Sequence, residues 1–189
     1  MSVDSKDTAR LFFALVPPPP LRRVLGALAT SVAQRARGRA VATENVHLTA
    51  AFIGTWPVAK MSQWTDAGAR CGGAPIDVTL NRLGGFSRAG VAWIGTTRTP
   101  IVLQQLAESL AAELTAAGVA VERRAFAAHI TLARRCRGPF PNESVGPYDW
   151  RVDALSLMRS YTERDGARYV EVGRWPLRSE RRIESDPAA

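Results

Sequence analysis

The sequence predicts an α+β fold made of two similar lobes within one domain. Apolar runs of strand type and of helix type follow one another without strict βαβ alternation. Two helical patterns each lead, after a short link, into a strand that begins with histidine, an apolar residue and threonine. The chain therefore repeats one unit, and its 189 residues, 46% of them hydrophobic, are enough for one sizeable core.

The first half of the chain is predicted to contain two strands and two helices. These elements are a strand over 10–17, a helix over 21–37, a strand over 46–54 and a short helix over 60–70. The proline run at 17–20 ends the first strand, because proline has no N–H for a strand ladder. Apolar residues recur at helical spacing in the first helix, and Gly38 is placed as its C-cap.

The second half is predicted to contain five strands and one helix. These are strands over 76–86 and 89–96, a helix over 101–117, and strands over 129–135, 152–161 and 167–175. Leu103, Leu106, Leu110 and Leu114 share one side of the helix, which Gly118 ends. Glycine and proline predict a loop over 138–147, and residues 162–166 carry a hairpin signal.

The domain prediction follows from these elements. Residues 1–177 are expected to form a single bilobal domain, to which each lobe contributes one histidine-led strand. The polar, charged residues 178–189 are expected to be a disordered C-terminal tail.

Composition bears on partners and on the cellular compartment. The formal charge of +8 favours a polyanionic partner, but 23 of the 25 basic residues are arginine, which a GC-rich coding sequence would also produce. Charge alone leaves both explanations open.

No apolar run approaches the length of a membrane span, and Cys71 and Cys136 lack metal-binding or framework spacing. We therefore expect a cytoplasmic protein with reduced thiols and no membrane association.

The only two histidines, His47 and His129, open the tetrapeptides HLTA and HITL. Because strand side chains alternate between faces, each histidine shares a face with the threonine two residues later, Thr49 or Thr131. The apolar residues between them point the other way, toward a core. If the two strands meet, they form a cleft that holds two imidazoles and two hydroxyls.

This set of groups suits a phosphodiester. One imidazole can accept a proton from water while the other donates one to a leaving alkoxide, and histidine does both near neutral pH. Threonine hydroxyls can hydrogen-bond the non-bridging oxygens. Neither tetrapeptide contains a carboxylate, and there is no third histidine, so no metal site and no cofactor is predicted. A single HxTx motif is more often part of an ordinary half-buried strand. The presence of two matching motifs is what makes the functional prediction specific.

The two tetrapeptides resemble the signature of the two-histidine phosphoesterase superfamily. The stretches RLFFALVPP, ENVHLTAAFIG, VAWIG and FAAHITLARR, with ALSLMRSYTERDGARYVEVGRWPL at the end, are similar to its RNA 2′,3′-cyclic phosphodiesterases, once called 2′-5′ RNA ligases. The resemblance covers residues 10–177. It implies a bilobal LigT-like fold, two pseudo-symmetric lobes of mainly antiparallel sheet with outer helices and a central groove.

The resemblance also implies an activity and roles for residues. It implies metal-independent opening of a 2′,3′-cyclic phosphate at an RNA end to a 2′-phosphate, with reversible 2′-5′ ligation allowed by the same chemistry. His47 would be the acid that protonates the 3′-oxygen and His129 the base that activates water, an assignment that near-symmetry makes reversible. Thr49 and Thr131 would bind the phosphate.

Two further positions transfer from the family. Phe52 would stack on the terminal base and Arg134 would meet the phosphate. Each lies five residues after its histidine, the wrong parity for the site face of an ideal strand. A bulge, strong twist or early strand end is therefore expected. Phe52 packed in the core and Arg134 as a solvated surface residue are the alternatives.

The sequence departs from the family at two positions. Ala128 stands where proline usually precedes the second histidine, and Ala50 stands where a bulkier aliphatic residue is common. Neither position is assigned to the chemistry.

Other functions fit the same motifs. The substrate could be a small cyclic nucleotide phosphate or a 2′-5′-linked oligonucleotide, or the groove could bind nucleotides or RNA without catalysis. In each case the partner is a nucleic acid or nucleotide, and we expect a monomer.

Overall fold

The computed structural model describes residues 8–121, 125–163 and 166–178, and its strands form one antiparallel sheet. The strands are β1 (Thr8–Leu15), β2 (Arg39–Ala40), β3 (Leu48–Pro57), β4 (Ile76–Phe86), β5 (Val91–Gly95), β6 (His129–Arg134), β7 (Glu143–Val152), β8 (Ala154–Glu163) and β9 (Gly166–Pro176). The α-helices are α1 (Pro19–Arg35), α2 (Met61–Arg70) and α3 (Ile101–Ala116). Short 3₁₀ turns occupy Thr43–Asn45, Val58–Lys60 and Ser87–Ala89.

The sheet divides into two halves with matching internal order. Its path runs β7-β4-β5-β6-β3-β1-β8-β9, with β2 paired to β6, so β3 and β6 are neighbours at the middle. In each half, one helix connects the two strands nearest the middle: α1 links β1 to β3 through β2, and α3 links β5 to β6. The predicted α+β fold with two pseudo-symmetric, mainly antiparallel lobes is confirmed.

The helices leave one face of the sheet open near its centre. Helix α1 packs mainly against β6, and α3 packs against β3, so each crosses to the opposite lobe. On β1, Phe13 and Leu15 are buried in the core that the helices share, whereas Phe12 and Ala14 belong to a small separate cluster with Met158. The second cluster marks the face on which the histidines lie.

Helix α1 begins and ends differently from the prediction. Pro19 and Pro20 occupy its first turn, where the missing N–H groups would have no helical partner. Its C-cap is Ala36, and Arg37 takes the left-handed conformation with φ 49°. The prediction of Gly38 as the C-cap is therefore wrong. Gly38 follows the cap and donates its N–H to the Ala33 carbonyl at 2.8 Å, which completes a Schellman motif.

The predicted loop over 138–147 is also wrong in its second half. Strand β7 starts at Glu143 and pairs with β4, although it contains Gly146 and Pro147. Pairing survives because β7 lies at the edge of the sheet and its register shifts between Leu80 and Arg82 of β4. The predicted elements include neither β7 nor the two-residue β2.

The remaining elements agree closely with the prediction. The four predicted leucines of α3 are buried, Gly118 has φ 85°, and β8 and β9 form the expected hairpin. The predicted tail lies outside the described residues except for Arg178. Within the described part of the chain, no helix has the length and apolar character of a membrane-spanning segment.

Close packing around Gly38 gives a stability prediction. A Cβ at Gly38 would lie 2.6 Å from Cys136 Sγ and 2.9 Å from the Arg134 carbonyl oxygen. Gly38→Ala should therefore lower the free energy of unfolding by about 1–3 kcal/mol, measured by urea denaturation. The matched control is Gly72→Ala, because a Cβ there meets no atom within 4 Å. Equal stability of the two variants would contradict the predicted overlap.

Candidate active site

The two histidine tetrapeptides meet at the junction between the lobes. His47 immediately precedes β3, and His129 is the first residue of β6. The two strands pair antiparallel at Leu48 and Ile130. The same antiparallel register, continued by one residue on each side, would set His47 against Thr131 and Thr49 against His129. The pair of Leu48 with Ile130 brings the two tetrapeptides side by side at the junction.

Burial follows the alternation predicted for both tetrapeptides. Leu48, Ala50, Ile130 and Leu132 are all in the core, with exposures between 0% and 6%. Both histidines and both threonines are half-buried on the opposite face. The predicted inward and outward directions are therefore confirmed, and the polar groups remain open to a ligand.

A bulge follows each threonine at the same place. On β3, Thr49 pairs with Ala14 and Ala51 with Phe13, so Ala50 is an extra residue. On β6, Thr131 pairs with Trp93 and Ala133 with Ala92, so Leu132 is extra. The fourth residue of each tetrapeptide is thus the bulge, and the strand beyond it changes parity.

These bulges resolve the parity problem of Phe52 and Arg134. Phe52 pairs with Phe12, which lies on the histidine face, and the two ring centroids are 6.0 Å apart. Phe52 is 59% exposed, which excludes the alternative of core packing. Arg134 lines the same cavity as His47 and Thr131. Both side chains are therefore on the site face.

Backbone carbonyls hold the two imidazoles in the same way. His47 Nδ1 donates to the Asn45 carbonyl oxygen at 2.6 Å, and His129 Nδ1 donates to that of Ala127 at 2.7 Å. A carbonyl can only accept, so the acceptor fixes the tautomer with hydrogen on Nδ1. The Nε2 atom of each neutral ring is left as a base. In His47 it accepts from the Thr49 hydroxyl at 3.1 Å.

Both imidazoles are held mainly in the neutral form. The pKa of His47 is lowered to about 4, mainly by burial and also by the nearby charges of Arg134 and His129, against the opposing effect of the Asn45 hydrogen bond. Burial also lowers the pKa of His129, and the charge of Arg134 adds to that effect. Because its charge lowers the pKa of both rings, the Arg134 guanidinium lies close enough to interact with both.

Aromatic rings enclose both histidines and account for the burial. The Phe12 ring lies 4.9 Å from that of His47, and the Tyr169 ring meets it edge-on at 5.1 Å. Around His129, Phe86 lies edge-on at 5.1 Å and Trp93 at 6.2 Å. Sequence reasoning assigned no role to these four rings, because they belong to four different strands and form no motif.

Glycine at position 84 makes room for one of these rings. A Cβ on Gly84 would lie 2.3 Å from the Trp93 indole, so a larger residue would displace that ring. Trp93 is the residue opposite Thr131 in the β5–β6 pair. The small residue on β4 therefore helps to set the environment of the second tetrapeptide.

Asn45 is a further site residue that the sequence analysis did not single out. Its side-chain Nδ2 donates to the Ala167 carbonyl at 2.6 Å, and its Oδ1 accepts from the Tyr169 N–H at 3.3 Å. Its own carbonyl holds His47. Asn45 thus connects the His47 ring to β9 and to Tyr169. Its position two residues before the histidine was the only signal in the sequence.

A cavity of about 550 Å³ opens beside the tetrapeptides. It brings together His47, Thr131 and Arg134, along with residues of β2 and β9. Thr49, His129 and Phe52 are on the same face of the sheet but are not among its lining residues. The described residues contain no group of three or more histidine, cysteine, aspartate or glutamate side chains placed to hold a metal ion.

Comparisons with known proteins agree with this geometry. A family model for LigT-like phosphoesterases matches residues 15–93. An RNA 2′,3′-cyclic phosphodiesterase of Escherichia coli K12 is 32% identical over 174 residues, covering 90% of this chain and 98% of its own. A Thermus thermophilus protein of the same name is 29% identical, covering 90% of this chain and 91% of its own.

A solved structure extends the match to the fold. The crystal structure of E. coli LigT complexed with 3′-AMP superposes with a TM-score of 0.83 at 29% identity, covering 90% of this chain and 99% of that one. The sequence match and the shared fold each cover nearly the whole chain. This chain belongs to the LigT-like family of two-histidine phosphoesterases.

Proposed function

We propose that this protein hydrolyses 2′,3′-cyclic phosphates at RNA ends to 2′-phosphates, by paired histidine acid and base catalysis. The activity named for its E. coli and T. thermophilus relatives supports the proposal. The observation that carries it here is the pairing of β3 with β6 at Leu48 and Ile130, which brings together the two tetrapeptides with their equally held imidazoles. We further propose that the chain acts as a monomer and needs no metal.

The proposed reaction uses the Nε2 atom of each ring. Water attacks phosphorus and gives its proton to His129 Nε2, while the bond from phosphorus to the 3′-oxygen breaks. His47 Nε2–H donates its proton to that oxygen, which leaves as the 3′-hydroxyl, and phosphorus keeps its bond to the 2′-oxygen. One proton is gained and one is lost by the protein, and exchange with solvent restores both rings.

Neighbouring groups would stabilise the developing charge. Thr49 and Thr131 donate hydrogen bonds to the non-bridging oxygens, and the Arg134 guanidinium faces the same phosphate. The exposed ring of Phe52, brought to the site face by the bulge at Ala50, offers a stacking surface for the terminal base.

Substrate binding also supplies a reason for His47 to become protonated. In the free protein its pKa is about 4, so at neutral pH it lacks the proton that an acid must donate. A bound phosphate anion attracts the imidazolium and offsets the charge of Arg134, and both effects raise the pKa. The acid would therefore take up its proton when the substrate arrives.

The same groups permit 2′-5′ joining. If the 5′-hydroxyl of a second RNA strand replaces water, His129 accepts its proton, His47 protonates the departing 3′-oxygen, and the product is a 2′-5′ phosphodiester. Each histidine keeps the role that it has in hydrolysis, and the two exchange roles only when the 2′-5′ bond is cleaved back to the cyclic phosphate.

A mononucleotide substrate is the second candidate. The E. coli LigT structure contains 3′-AMP, so a relative binds a single nucleotide in a fold of this kind. A small cyclic nucleotide phosphate or a 2′-5′ oligonucleotide would use the same histidines. A purely binding function is disfavoured, because both tetrapeptides and their carbonyl supports are intact.

The first functional test is turnover of an RNA oligonucleotide that ends in a 2′,3′-cyclic phosphate, with EDTA present. We expect a 2′-phosphate product, identified by chromatography against both isomers. His47→Ala and His129→Ala should each reduce the rate by at least about 100-fold, the scale for loss of an acid or base. Both variants should retain the wild-type circular dichroism spectrum. Wild-type rates in a folded variant, or inactivity that added metal reverses, would refute the mechanism.

The pH dependence follows from the lowered pKa values. Turnover requires one charged and one neutral imidazole, and in the free protein both pKa values lie below the ordinary 6.5, that of His47 at about 4. The value of kcat/KM, which reports the free protein, should therefore peak between about 4 and 6.5 and fall above 6.5. The maximum of kcat should lie at higher pH, because bound phosphate raises the pKa. A kcat/KM that continues to rise above pH 6.5 would contradict this scheme.

A further inference from the structure

The cavity beside His47 is much more basic than binding one phosphate requires. Among the described residues that line it, four are arginines, Arg39, Arg134, Arg135 and Arg168, and two are glutamates, Glu44 and Glu163. The proposed mechanism uses only Arg134. The volume of about 550 Å³ is in the usual range of ligand sites and exceeds what a cyclic phosphate group alone would fill.

The other three arginines come from both lobes. Arg39 on β2 is the partner of Arg134 in the β2–β6 pair, and its Nη2 lies 3.9 Å from where a Cβ on Gly166 of β9 would be. It therefore reaches across the cavity toward the β8–β9 hairpin. The Arg168 guanidinium lies 4.8 Å from the centre of the Tyr161 ring and pairs with Glu163, which orients it.

Arg135 is held in a conformation that arginine seldom adopts. Its φ is 55°, in the left-handed region, which costs a residue with a Cβ roughly 1–2 kcal/mol. The following residues fix it there, because the Cys136 N–H donates to Gly90 at 2.9 Å and the Arg137 N–H to Ala36 at 3.1 Å. Glycine would be less strained at this position, yet the residue present is an arginine, and it is among the residues that line the cavity.

The proposed reaction determines which part of an RNA would enter this cavity. The departing 3′-oxygen stays on the terminal ribose and faces His47, whereas water approaches from the His129 side. The terminal ribose and the phosphodiester 5′ to it therefore lie on the side of His47. The cavity opens on that side, since His47 lines it and His129 does not.

We propose that Arg39, Arg135 and Arg168 form a subsite for the phosphodiester 5′ to the terminal nucleotide, so that the protein prefers an oligonucleotide over a mononucleotide. This inference rests on the proposed function. Arginine suits the role because its planar fork can donate two hydrogen bonds to one phosphate. A mononucleotide without a 5′-phosphate would leave these cations without a ligand.

The test compares kcat/KM for a trinucleotide and a nucleoside, both ending in a 2′,3′-cyclic phosphate. Arg135→Gly removes the cation and tolerates the positive φ, and Arg168→Gln removes a second cation from the other lobe. Each should lower the trinucleotide-to-nucleoside ratio by about tenfold, the scale of one charge-assisted hydrogen bond. The slope of log kcat/KM against log salt should fall by about 0.7 for each lost phosphate contact.

Arg23→Ala is the matched control, because it removes one exposed arginine from α1, outside the cavity lining. Its ratio should equal that of the wild type. An unchanged ratio in both cavity variants would overturn the subsite while leaving the proposed function intact. A wild type that prefers the nucleoside would overturn the subsite and would favour a small cyclic nucleotide as the substrate.

If the wild type turns over neither substrate, binding measurements test the subsite separately from the proposed function. That outcome overturns the proposed function. The subsite is then tested by the dissociation constants of a trinucleotide and a nucleoside that both carry a 2′-phosphate. Tighter trinucleotide binding that Arg135→Gly abolishes would support the subsite, and equal affinities would overturn it.

Discussion

The site depends on one contact between two strands, the antiparallel pairing of Leu48 with Ile130. Both residues are fully buried and belong to the core that the helices share, so apolar packing against that core stabilises the pair. Since neighbouring strand residues face opposite ways, this pairing directs the flanking histidines and threonines to the other face. Stability of the core and geometry of the site are thus two consequences of the same register.

Electrostatics then determines how the site responds to a ligand. Aromatic neighbours remove water from both rings, and Arg134 adds a repulsive charge, so the pKa of each imidazole is lowered. A bound anion offsets the charge of Arg134, and its attraction for the imidazolium opposes the effect of burial on the pKa. In a site with these properties, both imidazoles would remain neutral while no ligand is bound, and His47 would become protonated when the substrate binds. Proton uptake would thus be coupled to phosphate binding.

The sequence predicted the parts of this account that depend on local pattern. The faces of HLTA and HITL follow from strand alternation, and the buried leucines of α3 follow from helical spacing. The bulges at Ala50 and Leu132 could be inferred only because Phe52 and Arg134 had the wrong parity, and their positions are visible only when partner strands are aligned.

Other features depend on contacts that no local pattern records. Strand β7 contains glycine and proline, which favour a loop, and its pairing at the sheet edge overrides that preference. After the Ala36 C-cap of α1, Arg37 rather than Gly38 takes the left-handed conformation, and Gly38 lies where Cys136 approaches. The cavity arginines are separated by up to 129 positions in the chain, from Arg39 to Arg168, and only the fold brings them together.

The proposed convergence of the two imidazoles on one phosphate can be tested directly, because the chain has only two histidines. Nuclear magnetic resonance of ¹⁵N-histidine-labelled protein, titrated with a nucleoside 2′-phosphate, follows both rings separately. We expect the ring signals of His47 and His129 to shift along one binding curve, and the pKa of His47 to rise from about 4 when the ligand binds. A ligand that binds and shifts only one ring, or leaves that pKa unchanged, would contradict it.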